Sequence, residues 1–83
     1  TPRKPAKLSY KDARRLEELE GLLVRLPEEI ASHDAILADP ELYNRDPAAF
    51  DRAMKAAERA RAELAAAEEE WLELEAMRES LAG

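Results

Sequence analysis

The side chains best suited to chemistry in this sequence are clustered cations that could bind phosphate. Residues 1–15 hold six cationic side chains against one carboxylate, Asp12, so this stretch has a net charge of +5. Lysine and arginine neutralise nucleic-acid phosphates, and a proline-containing arm that leads into a helix can follow a nucleic-acid backbone. The candidate phosphate-binding residues of this arm are Arg3, Lys4, Lys7, Lys11, Arg14 and Arg15.

A second group of cations lies in the middle of the sequence. Arg52, Lys55 and Arg59 recur at intervals of three and four residues, which places them on one side of a helix, and Arg45 precedes them. Both groups have simpler interpretations: the first group could be only a soluble linker, and the second could pair with Glu28, Glu29 and Asp34. Residues 16–83 carry a net charge of −11, and an acidic body repels phosphate.

Patterns typical of catalysis or metal binding are missing from the sequence. Cysteine does not occur, His33 is the only histidine, and the glycines Gly21 and Gly83 form no phosphate loop. The run of glutamates at 68–70 points in different directions around a helix, which favours a solvated face over a cation site. We therefore predict no catalytic residue, metal or cofactor for this segment. No apolar run approaches the ~20 residues of a membrane helix, so no membrane partner is expected.

Apolar residues spaced three and four apart predict two long helices that would position these cations. Such spacing forms a narrow stripe that a partner helix must cover. The first stripe is Leu16, Leu19, Leu23, Leu26, Ile30, His33 and Leu37. The second is Phe50, Ala53, Ala57, Ala60, Leu64, Ala67, Trp71, Leu74, Arg78 and Leu81.

We expect an all-α fold in which two long helices form an antiparallel coiled-coil hairpin with a short turn segment at the tip. Ser9 is a suitable N-cap for helix 1, at about residues 9–38, after a basic linker at residues 1–8. Asp39 and Asp46 each precede a proline, as at a helix N-terminus. They place the turn at 39–46 and helix 2 at about 47–82, so that residues 9–83 form the hairpin, with Leu42 and Tyr43 folded over its end.

The connection and the charges both indicate antiparallel helices. Eight residues are too few to return the chain for a parallel pair. An antiparallel register that pairs Leu16 with Trp71 also brings the cations at 11–15 beside the glutamates at 69–73. Pro27 falls inside helix 1. The stripe continues across it, which favours a kinked helix over a break at which Pro27 starts a new helix.

Several motifs resemble those of one family. They are KLSYKD at 7–12, RLEEL at 15–19, Leu26-Pro27 with Ile30, DPELY at 39–43 with DP at 46–47, and WLELE at 71–75. Over nearly the whole chain they resemble the C-terminal coiled-coil domain of Uup-type ABC-F ATPases.

The resemblance implies an accessory domain that binds DNA, or ribosomal RNA, within a larger cytoplasmic and ribosome-associated ATPase. ATP and Mg would bind only in the two cassettes of that protein, and this segment would have no catalysis of its own. The alternative is a structural or protein-interaction coiled coil that docks on its own cassettes or on another protein. The same stripes could also pair between chains, so a weak homodimer is an alternative to a monomer.

Overall fold

The computed structural model describes residues 7–82, whose elements follow each other as α1 (Tyr10–Leu37), α2 (Leu42–Arg45) and α3 (Pro47–Ala82). α1 packs against α3, and the four-residue α2 packs against α3 at the turn. The molecule is a rod with extents of 68 × 16 × 14 Å. The predicted fold class, an all-α helical hairpin with a short turn segment, is confirmed.

The two stripes form the core. Leu19 and Leu26 of α1 are fully buried, and the small side chains of Ala57 and Ala67 on α3 are also buried. Large residues on one helix thus face small residues on the other, and this lets the helices approach closely. At the end of the hairpin opposite the turn, which we call the open end, four buried residues form a cluster against which Trp71 packs. They are Leu16, Leu19, Ala67 and Leu74.

Ion pairs between the helices agree with the antiparallel register. Arg15 of α1 pairs with Glu70 of α3, and Asp34 near the end of α1 pairs with Arg61 near the middle of α3. Lys55, which the sequence places opposite the acidic residues of α1, instead pairs with Asp51 one turn earlier in α3.

Arg78 was wrongly placed on the seam. Its side chain is exposed, and its Nη2 donates a hydrogen bond to Glu75 Oε2 at 2.7 Å. The position that would face it in α1 is occupied by the cap residue Ser9, so no helical turn is available there to cover a buried side chain.

Side-chain caps set the helix starts. Ser9 Oγ accepts a hydrogen bond from the Asp12 backbone N–H at 3.2 Å, and Asp46 Oδ1 accepts one from the Ala49 N–H at 3.0 Å. These bonds satisfy N–H groups that have no partner within the first turn of a helix.

α1 runs through Pro27 without interruption, so the alternative of a break at this residue is wrong. The buried Leu26 and half-buried Ile30 continue the seam on both sides of Pro27, and their packing on α3 holds the helix together where one backbone hydrogen bond is lost.

The predicted linker at residues 1–8 lies mostly outside the described residues, and its division from the hairpin stays a prediction. Leu8, at its end, packs against the cluster of Leu16 and Trp71. No helix within residues 7–82 is both long enough and apolar enough to span a membrane.

Candidate nucleic-acid interface

The cations of the arm are in different surroundings. Arg3 and Lys4 lie outside the described residues. Lys7, Lys11 and Arg14 are exposed, and no carboxylate of residues 7–82 lies within ion-pair distance of them. Their positive charges are therefore available to an anionic partner.

Arg15, by contrast, is engaged by the opposite helix. Its Nε lies 2.7 Å from Glu70 Oε2 and its Nη2 lies 2.8 Å from Glu70 Oε1, a bidentate pair between α1 and α3. The hydrogen bonds raise the pKa of Arg15 and lower the pKa of Glu70. Arg15 therefore joins the helices, and much of its charge is already compensated.

The cations near the tip divide in the same way. Arg45 Nη2 donates to Asp39 Oδ2 at 2.9 Å, and this bond, with a second from the Glu41 backbone N–H, lowers the pKa of Asp39. Lys55 Nζ lies 2.9 Å from Asp51. Arg52 and Arg59 are exposed, and no carboxylate of the described residues pairs with either.

Heptad position separates the paired cations from several of the unpaired ones. Arg15 directly precedes the seam residue Leu16, and from this position a side chain reaches the opposite helix. Arg52 and Arg59 each lie two residues after a seam residue, one step farther around the helix. This outer position, on the same side of the hairpin as the Arg15 pair, also contains Lys11 and Arg25.

Arg25 is a candidate that the sequence reasoning missed. It is exposed, pairs with no carboxylate of residues 7–82, and borders an open hollow of about 410 Å³ together with Arg15 and Glu18. The sequence does contain a signal for Arg25, because it follows the seam residue Leu23 by two positions, as Arg52 follows Phe50.

Open hollows follow this side of the hairpin, which we call the grooved side. One of about 650 Å³ lies at the open end, and Arg15 and Glu18 line both it and the hollow beside Arg25. Another, of about 280 Å³, lies farther toward the tip and is lined by Arg59 and the half-buried His33. The cations of the grooved side are Lys11, Arg15, Arg25, Arg52 and Arg59.

The grooved side is mixed in charge. Glu18 and Glu73 border the hollow at the open end, and Glu29 and Glu63 border the hollow beside His33. A polyanion could therefore make separate contacts with individual cations along this side rather than lie in a uniformly positive trough. Lys11 and Arg25 are 14 residues apart, which corresponds to about 21 Å along α1.

No group of three or more histidine or acidic side chains within residues 7–82 is arranged to hold a metal ion. The grooved side instead combines unpaired cations, carboxylates and open hollows.

A long helical hairpin of two packed helices is the class of domain that this structure defines. The family model for the ABC transporter C-terminal domain matches residues 7–76, and the chain belongs to this family.

The curated relatives agree with the resemblance to Uup-type ABC-F C-terminal domains, which is confirmed. The chain is 61% identical to the ATP-binding protein Uup of Caulobacter vibrioides over 82 residues, which is 99% of this chain and 14% of that protein. It is 40% identical over 72 residues to two Haemophilus influenzae proteins, ATP-binding protein Uup-like and ATP-binding protein Uup. That match covers 87% of this chain and 16% and 11% of those proteins. The chain thus spans less than a fifth of the length of these relatives, and no solved structure matches it.

Proposed function

We propose that this domain is a nucleic-acid-binding appendage of a larger cytoplasmic ABC-F ATPase, and that its partner is DNA or ribosomal RNA. ATP and Mg bind in the cassettes of the parent protein, and the appendage has no catalysis of its own. It holds the nucleic acid near those cassettes.

One observation carries the proposal: four exposed cations share one position on the grooved side and pair with no carboxylate of residues 7–82. A cation held in a carboxylate pair gains little by exchanging that partner for a phosphate. An unpaired cation that contacts a phosphate displaces counterions condensed on the nucleic acid, and this favours binding. Lys11, Arg25, Arg52 and Arg59 therefore supply the phosphate contacts, extended by Arg14 and the arm residues Arg3, Lys4 and Lys7.

Arg15, Arg45 and Lys55 have a secondary role in this proposal. Each already has a carboxylate partner at 2.7 to 2.9 Å, so each contributes to binding mainly through the shape of the surface.

The proposal is tested by measuring affinity for a duplex and for single-stranded RNA as a function of salt concentration. On duplex DNA, log K falls with log salt by about 0.9 per contacted phosphate. The double variant Arg52→Gln/Arg59→Gln should therefore reduce this slope by about 1.8.

Arg61→Gln/Arg78→Gln is a matched control. It also removes two positive charges, but these two arginines pair with carboxylates of this chain, Arg61 with Asp34 and Arg78 with Glu75. We expect the control to change the slope much less. Equal effects of the two variants would show that net charge alone matters, and absence of binding at low salt would contradict the proposal.

A second candidate function is supported by the hollow at the open end of the hairpin. Its lining includes the exposed apolar side chains of Tyr10 and Met77 and the buried Leu74. This surface suits docking on the cassettes of the same chain. This second function would be favoured if the domain binds the isolated cassettes, loses that binding in Tyr10→Ala/Met77→Ala, and binds no nucleic acid.

The oligomeric state is checked in the same samples by sedimentation at two protein concentrations. A single species of constant mass would indicate a monomer. A concentration-dependent increase in mass would instead indicate the weak homodimer that the two seams allow.

A further inference from the structure

The tip of the hairpin presents an aromatic ring in a fixed position. In α2, Leu42 is buried, but Tyr43 is 61% exposed, contrary to the expectation that both fold over the end of the helices. The ring centroid of Tyr43 lies 5.4 Å from that of Phe50, and the two planes are nearly perpendicular at 89°. Since Phe50 is half-buried at the start of the α3 seam, it anchors Tyr43 while most of the tyrosine remains open to solvent.

Hydrogen bonds on both sides of α2 order the backbone that carries this ring, and Phe50 contacts the ring itself. Asp39 accepts one bond from the Glu41 N–H and one from the Arg45 side chain, each at 2.9 Å, so it ties the start of α2 to its end. Asp46, directly after α2, caps α3 through the Ala49 N–H. A side chain that is already ordered loses less conformational entropy on binding than a mobile one.

The chemistry of this tip favours a flat, aromatic ligand over a phosphate. The carboxylates of Asp39 and Asp51 pair with Arg45 and Lys55, and residues 39–46 around Tyr43 keep a net charge of −2, which repels phosphate. An exposed aromatic face can stack on a nucleobase, and this interaction depends little on base sequence.

The accessibility of base faces decides which bases the tip can reach. In a continuous duplex each base is stacked between its neighbours, so its face is closed to the ring of Tyr43 unless the base is first unstacked. A base in a single strand, a loop or a gap is open to it.

We propose that Tyr43 stacks on an unpaired nucleobase, and that the domain consequently prefers nucleic acid with single-stranded segments to a continuous duplex. This inference rests on the proposed function, because the cations of the grooved side provide the phosphate contacts that bring the strand to the tip. It assigns the tip a separate role, the recognition of unpaired bases.

The test compares wild type with Tyr43→Leu and Tyr43→Phe by fluorescence anisotropy. The probes are a labelled single-stranded oligo(dT) and a blunt-ended duplex of equal length. Leucine retains an apolar contact with Phe50 but has no aromatic face, and phenylalanine retains both. Loss of one stacked base corresponds to a roughly 5- to 150-fold weaker affinity for oligo(dT) in Tyr43→Leu. Tyr43→Phe should bind like wild type, and all three proteins should bind the duplex equally.

Leu72→Ala is the matched control, since Leu72 is also 61% exposed but lies far from the tip, near the other end of α3. It should leave both affinities unchanged. Circular dichroism of each variant checks that helicity is retained. The salt dependence of oligo(dT) binding should be the same in Tyr43→Leu as in wild type, because stacking releases no counterions.

Two results would overturn the inference. One is unchanged oligo(dT) affinity in Tyr43→Leu; if Arg52→Gln/Arg59→Gln still reduces the salt slope, the proposed function stands and only stacking is wrong. The other is an equal loss of affinity for oligo(dT) and duplex, which would indicate a structural role for the ring. If wild type binds neither probe at low salt, both proposals are wrong.

Discussion

Replacing Leu19 with alanine should destabilise the hairpin by about 2–3 kcal/mol. Leu19 is 0% exposed and belongs to the cluster with Leu16, Ala67 and Leu74. The substitution removes three carbon atoms, and at about 0.8 kcal/mol for each the transfer free energy alone is roughly 2.4 kcal/mol. A cavity adds to this loss, and comparable substitutions cost about 2–5 kcal/mol. Because only two helices surround the seam, they can move together and fill part of the space, which favours the lower half of that range.

This loss is large for so small a domain. A single core in a chain slightly shorter than this one, below about 70–80 residues, rarely supplies more than about 3–5 kcal/mol, so the variant should retain only a small part of the stability of the wild type. A loss of 1 kcal/mol lowers the melting temperature of such a domain by about 4–8 °C. We expect the melting temperature of Leu19→Ala to fall by about 10–20 °C.

Urea denaturation followed by two probes is the suitable assay. Circular dichroism reports helicity, and the fluorescence of Trp71, the only tryptophan, reports packing because this residue lies against the Leu19 cluster. Val24→Ala is the control, since Val24 lies on the same helix but is 66% exposed, and it should cost less than about 0.5 kcal/mol. If Leu19→Ala costs no more than Val24→Ala, the seam does not stabilise the hairpin and the reasoning is refuted.

Three further predictions concern α1 and its ion pairs. Gly21→Ala should stabilise the hairpin by about 0.5–1 kcal/mol in urea denaturation, because a Cβ at this helical position meets no atom within 4 Å apart from its chain neighbours and the backbone of its own helix; a loss of stability would contradict this. Pro27→Ala should stabilise by about 1–3 kcal/mol in the same assay, since α1 is continuous there and alanine can restore the hydrogen bond to the Leu23 carbonyl; an unchanged midpoint would argue against it. The pKa values of Glu70 and Asp39 lie below their ordinary values of 4.5 and 3.8 because arginines donate to them. Their contribution to stability is therefore complete above these ordinary values and is lost as pH falls through the lowered ones. NMR titration of the carboxyl carbons should show both shifts, and ordinary values would refute them.

The fold could be predicted from sequence because one pattern appears twice. Apolar residues at intervals of three and four define each long helix, and the short connection leaves only the antiparallel arrangement. The pairing of Arg15 with Glu70 followed from that register. Arg78 was the exception, since periodicity does not show where the opposite helix ends.

Whether each cation is paired with a carboxylate or unpaired could not be predicted from the periodicity. The bond from Arg45 to Asp39 crosses the turn and depends on the conformation of α2, and the bond from Lys55 to Asp51 competes with acidic residues across the hairpin. Tyr43 was also misjudged. Only one of the two side chains can cover the end of the core, and in this structure Leu42 is buried there while Tyr43 is exposed.

Heptad position accounts for much of the division between paired and unpaired cations. Residues that directly flank the seam, such as Arg15 and Arg61, lie close enough to the opposite helix to form ion pairs with Glu70 and Asp34. Residues one step farther around the helix are beyond that reach. A coiled coil can therefore use the inner ring of charges to fix its register while the outer ring stays available to a partner. In this hairpin the outer position of the grooved side holds Lys11, Arg25, Arg52 and Arg59, and substitutions there should alter binding with little effect on stability.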